Sequence, residues 1–536
     1  MGTRRRQLAA FLVVAAFGVL LAVVFGRASG SSPNAAKASV RGPMGHASVR
    51  ERAQGEGEGA DAEAYSDRAY PSSEITIDQI QGAIAANAKL AKKTAKLGSK
   101  WDSIGPDTLN VDRLGTQSFI KATQWSGRVS ALAISPTCVP DDCTVYVGAA
   151  GGGVWRSKNA LAPKPAWKQI TGDIPTNSIG SIAVDPNDAS GNTIYVGTGE
   201  ANASSDSAAG LGLYKTTDGG NHWALVQGSF AVANNRSIAW VAVDPADANH
   251  LLIGTRSGAR GMGSNASSGG TVAAQSPAVG AYETHDGGAT WALGKAGSVN
   301  EVKFDPSNSH VVYAAVAGTG LVRSTNGAPW ETIFSGTRSR YSFAPVVKDG
   351  KTRIYLVDAS GGGQGAQVYR IDDASQPAAV LTAGSNAAWT RLSNPAEGTP
   401  GFAVYNYCNT PLVGSQCSYD MFVNSPADRP DMVVVGGLMH YEELKPYAAP
   451  GGVRSNGRAV LMSMDAGSTW TDVTGDVGGE SMHPDQHALV FVPGNPDQFF
   501  EASDGGVIRS SGQWADASSQ CDSRGLSPAF LTDCHN

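Results

Sequence analysis

A chain of 536 residues with 66 glycines and only 16% charged residues has the composition of an all-β protein with many tight turns, and it argues against a helical or disordered one. The formal net charge is −6 and the one dense basic run is Arg4, Arg5 and Arg6, so there is no clustered Lys/Arg surface to follow a phosphate backbone. Nucleic acid is not an expected partner.

The arginines precede LAAFLVVAAFGVLLAVVF at 8–25, an uncharged apolar stretch. Its length suits a spanning helix, which needs about 17–25 residues, better than the roughly 7–15 of a cleaved signal. RASG at 27–30 still offers small residues to a peptidase. Residues 1–28 are therefore expected to be a signal anchor or signal peptide, with the arginines cytoplasmic and everything after them exported. The expected location is the cell membrane with the folded region extracytoplasmic, or outside the cell if the segment is cleaved. The cysteines then fall as three local pairs without C-x-x-C spacing, Cys138/Cys143, Cys408/Cys417 and Cys521/Cys534. Disulfides that staple loops suit an exported chain, although six cysteines permit fifteen connectivities.

Residues 29–73 are rich in Ala, Gly, Ser and Glu and too poor in large apolar residues to fold, which makes them a tether. Over 74–98, Ile77, Ile80, Ile84, Ala88 and Ala91 recur at helical spacing, with Lys92, Lys93 and Lys96 where the helix dipole favours cations. An amphipathic helix is predicted there. From 101 to 536 one repeated unit takes over: an apolar strand ending in Asp-Pro or Ser-Pro, a strand ending in Gly, a third strand, a turn and a Trp strand. SIAVDP at 181–186 leads to TIYVGTG, GLYKTTDGG and HWALV; WVAVDP at 240–245 and EVKFDP at 301–306 open similar runs, as does ALAISP at 131–136. Prolines 136, 186, 245 and 306 stand 50, 59 and 61 residues apart. Three less regular units follow, beginning near Tyr341, YDMFVNSP at 419–426 and HALVFVP at 487–493. Four strands per unit at this period, seven times over, predict a seven-bladed β-propeller of four-stranded antiparallel blades.

The third-to-fourth turns read KTTDGGNHW, ETHDGGATW and MSMDAGSTW. They resemble the Asp-box of BNR-repeat propellers, Ser/Thr-x-Asp-x-Gly-x-x-Trp, with Asp218, Asp286 and Asp465, Gly220, Gly288 and Gly467, and Trp223, Trp291 and Trp470 in its fixed places. These aspartates are expected to accept backbone hydrogen bonds within their own turns and not to be catalytic. Asn326 replaces the Asp in the fourth unit, and SSGQW in the last unit lacks it, so looser hairpins are expected there. Sialidases, xyloglucanase-type glycosidases, sortilin-type receptors and photosystem assembly factors share such propellers, so the resemblance alone leaves function open.

Turns alternate between the two ends of a blade. Binding sites are expected at the end that collects the inter-blade turns and those after the second strands. Candidate binding residues there are Asp173, Asn202, Arg256, Arg260 and Glu480; candidate acid/base carboxylates are Glu200, Asp206, Asp476 and Asp504. HPDQH at 483–487 places His483, Asp485 and His487 at alternating positions, which strand geometry would aim one way; two imidazoles and a carboxylate suit a divalent metal. Trp125, Trp155 and Trp240 offer rings for sugar stacking, though strand tryptophans more often pack in a core.

The resemblance counts against the familiar enzymes. There is no Arg-Ile-Pro motif of the sialidase type, and Ala150 stands where xyloglucanase-type enzymes carry a catalytic Asp. The expected function is therefore binding of a protein or glycan ligand, by a propeller held at the membrane through the N-terminal helix. The alternatives are a glycoside hydrolase acting on a polysaccharide and, third, a metal-dependent hydrolase at the His483 cluster. RGLSPAFLTDCHN at the end has the look of another repeat opening, and a second propeller is what the two-propeller glycosidases use to build their cleft.

Overall fold

A computed structural model describes residues 70–71, 77–97, 126–202, 207–258, 276–359, 366–396, 399–405, 407–410, 414–438, 459–474, 483 and 485–514. The expected membrane segment, almost all of the tether, Trp125, Asp206, Arg260, Asp476, Glu480, Cys521 and Cys534 lie outside the described residues. Among the described residues no helix is long and apolar enough to cross a membrane. The predicted amphipathic helix runs Ile77–Leu97, three residues later in its start than its periodicity suggested. Ile84 and Leu90 on it are 37% and 60% exposed.

Among the described residues seven antiparallel blade sheets follow in chain order, six of four strands and a seventh of three, with a small two-stranded ribbon, Asn409–Thr410 with Gly414–Ser415, between the fifth and sixth. Blade 1 covers 129–169, blade 2 179–225, blade 3 237–296, blade 4 299–335, blade 5 341–391, blade 6 422–472 and blade 7 486–509. Each blade's first strand packs against the first strand of the next, and that of blade 7 returns to that of blade 1. The ring is closed, and the fold is a seven-bladed propeller.

Burial explains why the sequence reads as it does. A second strand lies between neighbouring blades on both faces, so Ile194–Thr198 and Leu251–Arg256 are buried at every position and their sequences are near-continuous in apolar and small residues. The outermost strand Trp167–Gln169 is exposed throughout. Seven hydrophobic clusters fill the seven seams, for example Tyr146 and Val154 of blade 1 against Ile179, Ile194 and Trp223 of blade 2. The glycine in YVGA and YVGT belongs to this packing: a Cβ on Gly148 would come within 2.7 Å of Ile179, and one on Gly197 within 2.6 Å of Ile238. Glycine lets the next blade's first strand come close.

The three Asp turns share one hydrogen-bond scheme. In blade 3, Asp286 Oδ1 accepts from the Thr284 hydroxyl at 2.7 Å and the Thr290 N–H at 2.9 Å, while Gly288 N–H donates to Thr284 Oγ1 at 3.0 Å. Thr216/Asp218/Gly220 and Ser463/Asp465/Gly467 repeat it. The glycines sit at φ +88°, +91° and +87°, and a Cβ there would strike Ile170, Val226 or Leu392 at the end of the preceding blade. In blade 4, Asn326 and Gly327 both take positive φ, +52° and +70°, so this hairpin closes through backbone conformation. Trp330 still packs against the seam.

Blade 5 is irregular for a visible reason: a helical segment, Ala378–Asn386, broken at Ala383, Gly384 and Ser385, is inserted between its third and fourth strands and buries Leu381. Two disulfides form as the local pairs suggested, Cys138–Cys143 and Cys408–Cys417. The second closes the loop that leads into blade 6.

Candidate functional site

Antiparallel pairing puts the start of each first strand beside the end of each second strand, as with Ile179 and Thr198 in blade 2. All the inter-blade turns and second-to-third turns therefore meet at one mouth of the central channel. Five of the seven first strands carry a bulge at this end, at Ser130, Gly180, Ala239, Asn300 and His487. A bulge re-aims the side chain of the extra residue. That of His487 reaches Asn202 of blade 2 and the ring of Tyr419 ahead of blade 6.

His487 is the hub. Its Nδ1 lies 2.9 Å from Asn202 Nδ2 and its Nε2 lies 2.7 Å from Asp504 Oδ1. An amide nitrogen can only donate, so Nδ1 accepts and Nε2 carries the ring proton to Asp504. The Tyr419 hydroxyl also sits 2.7 Å from both Asp504 oxygens and receives Arg128 Nη1 at 2.7 Å. Burial works against the Asp504 carboxylate, but His487, Tyr419 and Arg128 outweigh it and hold its pKa below the usual range. Burial and the Asp504 charge push the Tyr419 phenol upward, so this hydroxyl donates and is not a nucleophile at neutral pH.

Asp420 and Asp485 form a second pair. Asp420 is fully buried beside the Asp485 carboxyl, and among the described residues no amide, hydroxyl or guanidinium donor reaches its oxygens. Burial, with Asp485 beside it, pushes its pKa well up. Asp485 is raised too, by burial and then by the nearby Asp504, and its Oδ1 accepts from Gln416 Nε2 at 2.9 Å. Adjacent buried carboxyls cannot both ionise, so this pair carries a proton where Asp504 does not. Asp485 holds φ +70°, a costly conformation for a residue with a side chain and one that gathers at functional sites.

Two arginines complete the mouth. Arg256 donates to Ala201 O at 3.2 Å and Ser298 Oγ at 3.1 Å, and burial with Arg340 beside it lowers its pKa to about 10. Burial lowers Arg340 as well, against the opposing charges of Glu301, Asp420 and Glu200, and its guanidinium donates to the Tyr419 carbonyl.

The sequence candidates are distributed as follows. Asn202, Arg256, Asp485, His487 and Asp504 meet at the mouth. Glu200 is there as well, but it is 1% exposed and occupied by the Ser207 hydroxyl, the Asn202 N–H at 3.2 Å and Arg128 at 3.9 Å. It shapes its own loop. Asp173 stands apart, accepting from the Trp223 N–H at 3.0 Å where blade 1 meets blade 2. The expected alternation across 483–487 does not run, because Asp485 turns through positive φ and His487 is the bulged residue. His483 lies against Gly505, where a Cβ would come within 2.4 Å of it, while Asp485 and His487 face different partners. Trp155 is 36% exposed and donates to Gly152 O at 2.9 Å; Trp240 lies half-buried under the Lys303 ammonium, 4.4 Å from its ring centre. Sequence reasoning missed Arg128, Arg340, Tyr419 and Asp420. They lie in no motif, and their shared signal is position: a polar residue just ahead of an apolar first strand.

No protein-family model matches the chain and no curated protein matches it. Several solved structures are similar to it over part of their length. A GH74 xyloglucanase from Xanthomonas campestris is 18% identical with a TM-score of 0.46, covering 72% of this chain and 52% of its own. An ancestral GH74 enzyme is 18% identical with a TM-score of 0.43, covering 72% of this chain and 45% of its own. YCF48 from Cyanidioschyzon merolae is 14% identical with a TM-score of 0.41, covering 72% and 96%. The chain thus spans about half the length of these GH74 structures.

Proposed function

We propose that the chain is an exported binding protein whose ligand is a glycan held at the channel mouth. The observation that carries this reading is Asp504. Neighbours keep it ionised, yet its side chain is 25% exposed, with Arg128 at 16% beside it. A sugar presents hydroxyls that both donate and accept, and a fixed carboxylate next to a guanidinium answers both needs. The buried imidazole, phenol and second carboxyl pair hold these groups in one orientation, which lowers the entropy lost on binding. Two disulfides support export. Calorimetric titration with a panel of oligosaccharides tests the reading. Asp504→Asn should weaken the best ligand roughly 10- to 100-fold, the range for a hydrogen bond to a charged group. Unchanged affinity in that variant, or no ligand in the panel, would overturn it.

Asp420 and Asp485 favour a second reading at the same mouth, glycoside hydrolysis. A carboxyl pair that retains a proton next to a carboxylate that does not is the division of labour between acid and base in glycosidases. In that reading Asp485 donates the proton to the leaving oxygen and Asp504 acts as base or nucleophile. Chromatography of the same oligosaccharides after incubation with the protein decides. Intact sugars leave the binding reading standing alone; fragments that vanish with Asp485→Asn install the hydrolase.

A further inference from the structure

At the other end of blade 3 from the mouth, three side chains that the mouth does not use converge. The register that pairs Leu251 with Thr284 sets His250 beside His285, and strand alternation puts Glu283 on the same side as His285. His250 Nε2 lies 2.8 Å from Glu283 Oε1, and His285 Nε2 lies 3.3 Å from the same oxygen. The two imidazoles stack with ring centres 4.2 Å apart. One ligand atom from each residue falls within 4.8 Å of the others, a grouping that no other His, Cys, Asp or Glu trio among the described residues achieves. From this geometry we infer that His250, Glu283 and His285 bind a divalent transition metal of the zinc class.

Three features separate this cluster from an ordinary hydrogen-bonded histidine. His250 Nδ1 lies 2.8 Å from Asp244 Oδ2, so that buried carboxylate accepts the Nδ1–H hydrogen bond and leaves Nε2, which now faces Glu283, as the ring nitrogen that a metal would take. That carboxylate–histidine arrangement orients the imidazoles of metal sites. Phe304 meets the His250 ring edge-on at 4.9 Å and fixes its plane. Bonds of about 2.0–2.1 Å in a tetrahedron place ligand atoms roughly 3.3 Å apart. The His285–Glu283 separation already has that value; Glu283, 20% exposed, has room to withdraw from His250, and the exposed His285 ring has to turn out of its stack on His250 so that both ring nitrogens, now within 4.8 Å of each other, aim at one ion in their ring planes. Two imidazoles and one carboxylate match the donor preference of zinc, and water takes the fourth position beside His285, which is 69% exposed. The ion would tie the second strand of blade 3 to the start of its Asp286 turn.

The test is zinc binding by the full chain purified without an affinity histidine tag. Elemental mass spectrometry and competition with a chromophoric zinc indicator give stoichiometry and affinity, and thermal unfolding with and without zinc gives the shift in Tm. One equivalent is expected, retained in the exposed Asp-turn variant His222→Ala and at least tenfold weaker in His285→Ala and Glu283→Gln. His285 is exposed, so its alanine variant keeps the fold, and its Tm without zinc should match the parent. The inference is overturned if the parent binds no zinc saturably, or if His285→Ala binds it as tightly as the parent.

Discussion

Asp358 shows how much a single residue's setting changes its chemistry. It closes the second strand of blade 5, accepts from the Gln367 N–H at 2.8 Å and lies 3.4 Å from Arg338. Burial outweighs these partners and raises its pKa to about 6. A carboxyl whose folded pKa exceeds its unfolded value binds more protons when folded, so its stabilising contribution is complete below about pH 4 and is lost as pH rises through 6. Two units correspond to about 3 kcal/mol. The stability of the parent relative to Asp358→Asn should therefore fall by roughly that amount between pH 4 and 7, measured by urea unfolding. A flat difference would mean that the carboxyl is not buried as described. The sequence LVDAS gives no warning of this, because it is the packing of other segments that removes water from the side chain.

Among the elements, the loop before blade 6 matters most to the mouth. It carries Gln416 inside the Cys408–Cys417 bridge and Tyr419 and Asp420 just after it; Gln416 donates to Asp485, and Tyr419 joins Asp504 of blade 7 to Arg128. Closing a loop with a sequence separation of 9 restricts the unfolded chain. Replacing both cysteines by serine should cost about 2–3 kcal/mol on the loop-entropy estimate. Because the same loop positions Tyr419 against Asp504, glycan affinity should fall in that variant while far-UV circular dichroism stays that of the parent. Unchanged stability and affinity would show that the strands alone hold the loop. The local spacing of the two cysteines made this pair readable in advance. The bulge at His487 was not readable, since a bulge is a mismatch between two strands and neither strand records it alone.

For the whole molecule the decisive feature is closure. Phe500 of blade 7 is 2% exposed and packs with Val129, Leu132 and Val147 of blade 1. Arg509 reaches across to the carbonyls of Ala160 and Ala162, both at 2.9 Å. Phe500→Ala should cost about 3–5 kcal/mol. If the ring unfolds as one body, intrinsic fluorescence and circular dichroism will shift together along the urea axis; a separate early transition would show that blade 7 opens by itself. Strand order, blade count and Asp turns could be read from the chain because each is set within a few tens of residues by alternation, glycine and turn chemistry. Legible too were individual candidates such as Asn202, His487 and Asp504, as polar residues at turns of the right polarity. Their partnership was not. Asn202 and His487 are 285 residues apart and Arg128 and Tyr419 are 291 apart, and only the closing of the ring brings them within hydrogen-bond reach. Local periodicity determined the propeller, and tertiary closure determined which carboxyls share a proton, which stays ionised and which are sealed away from a ligand.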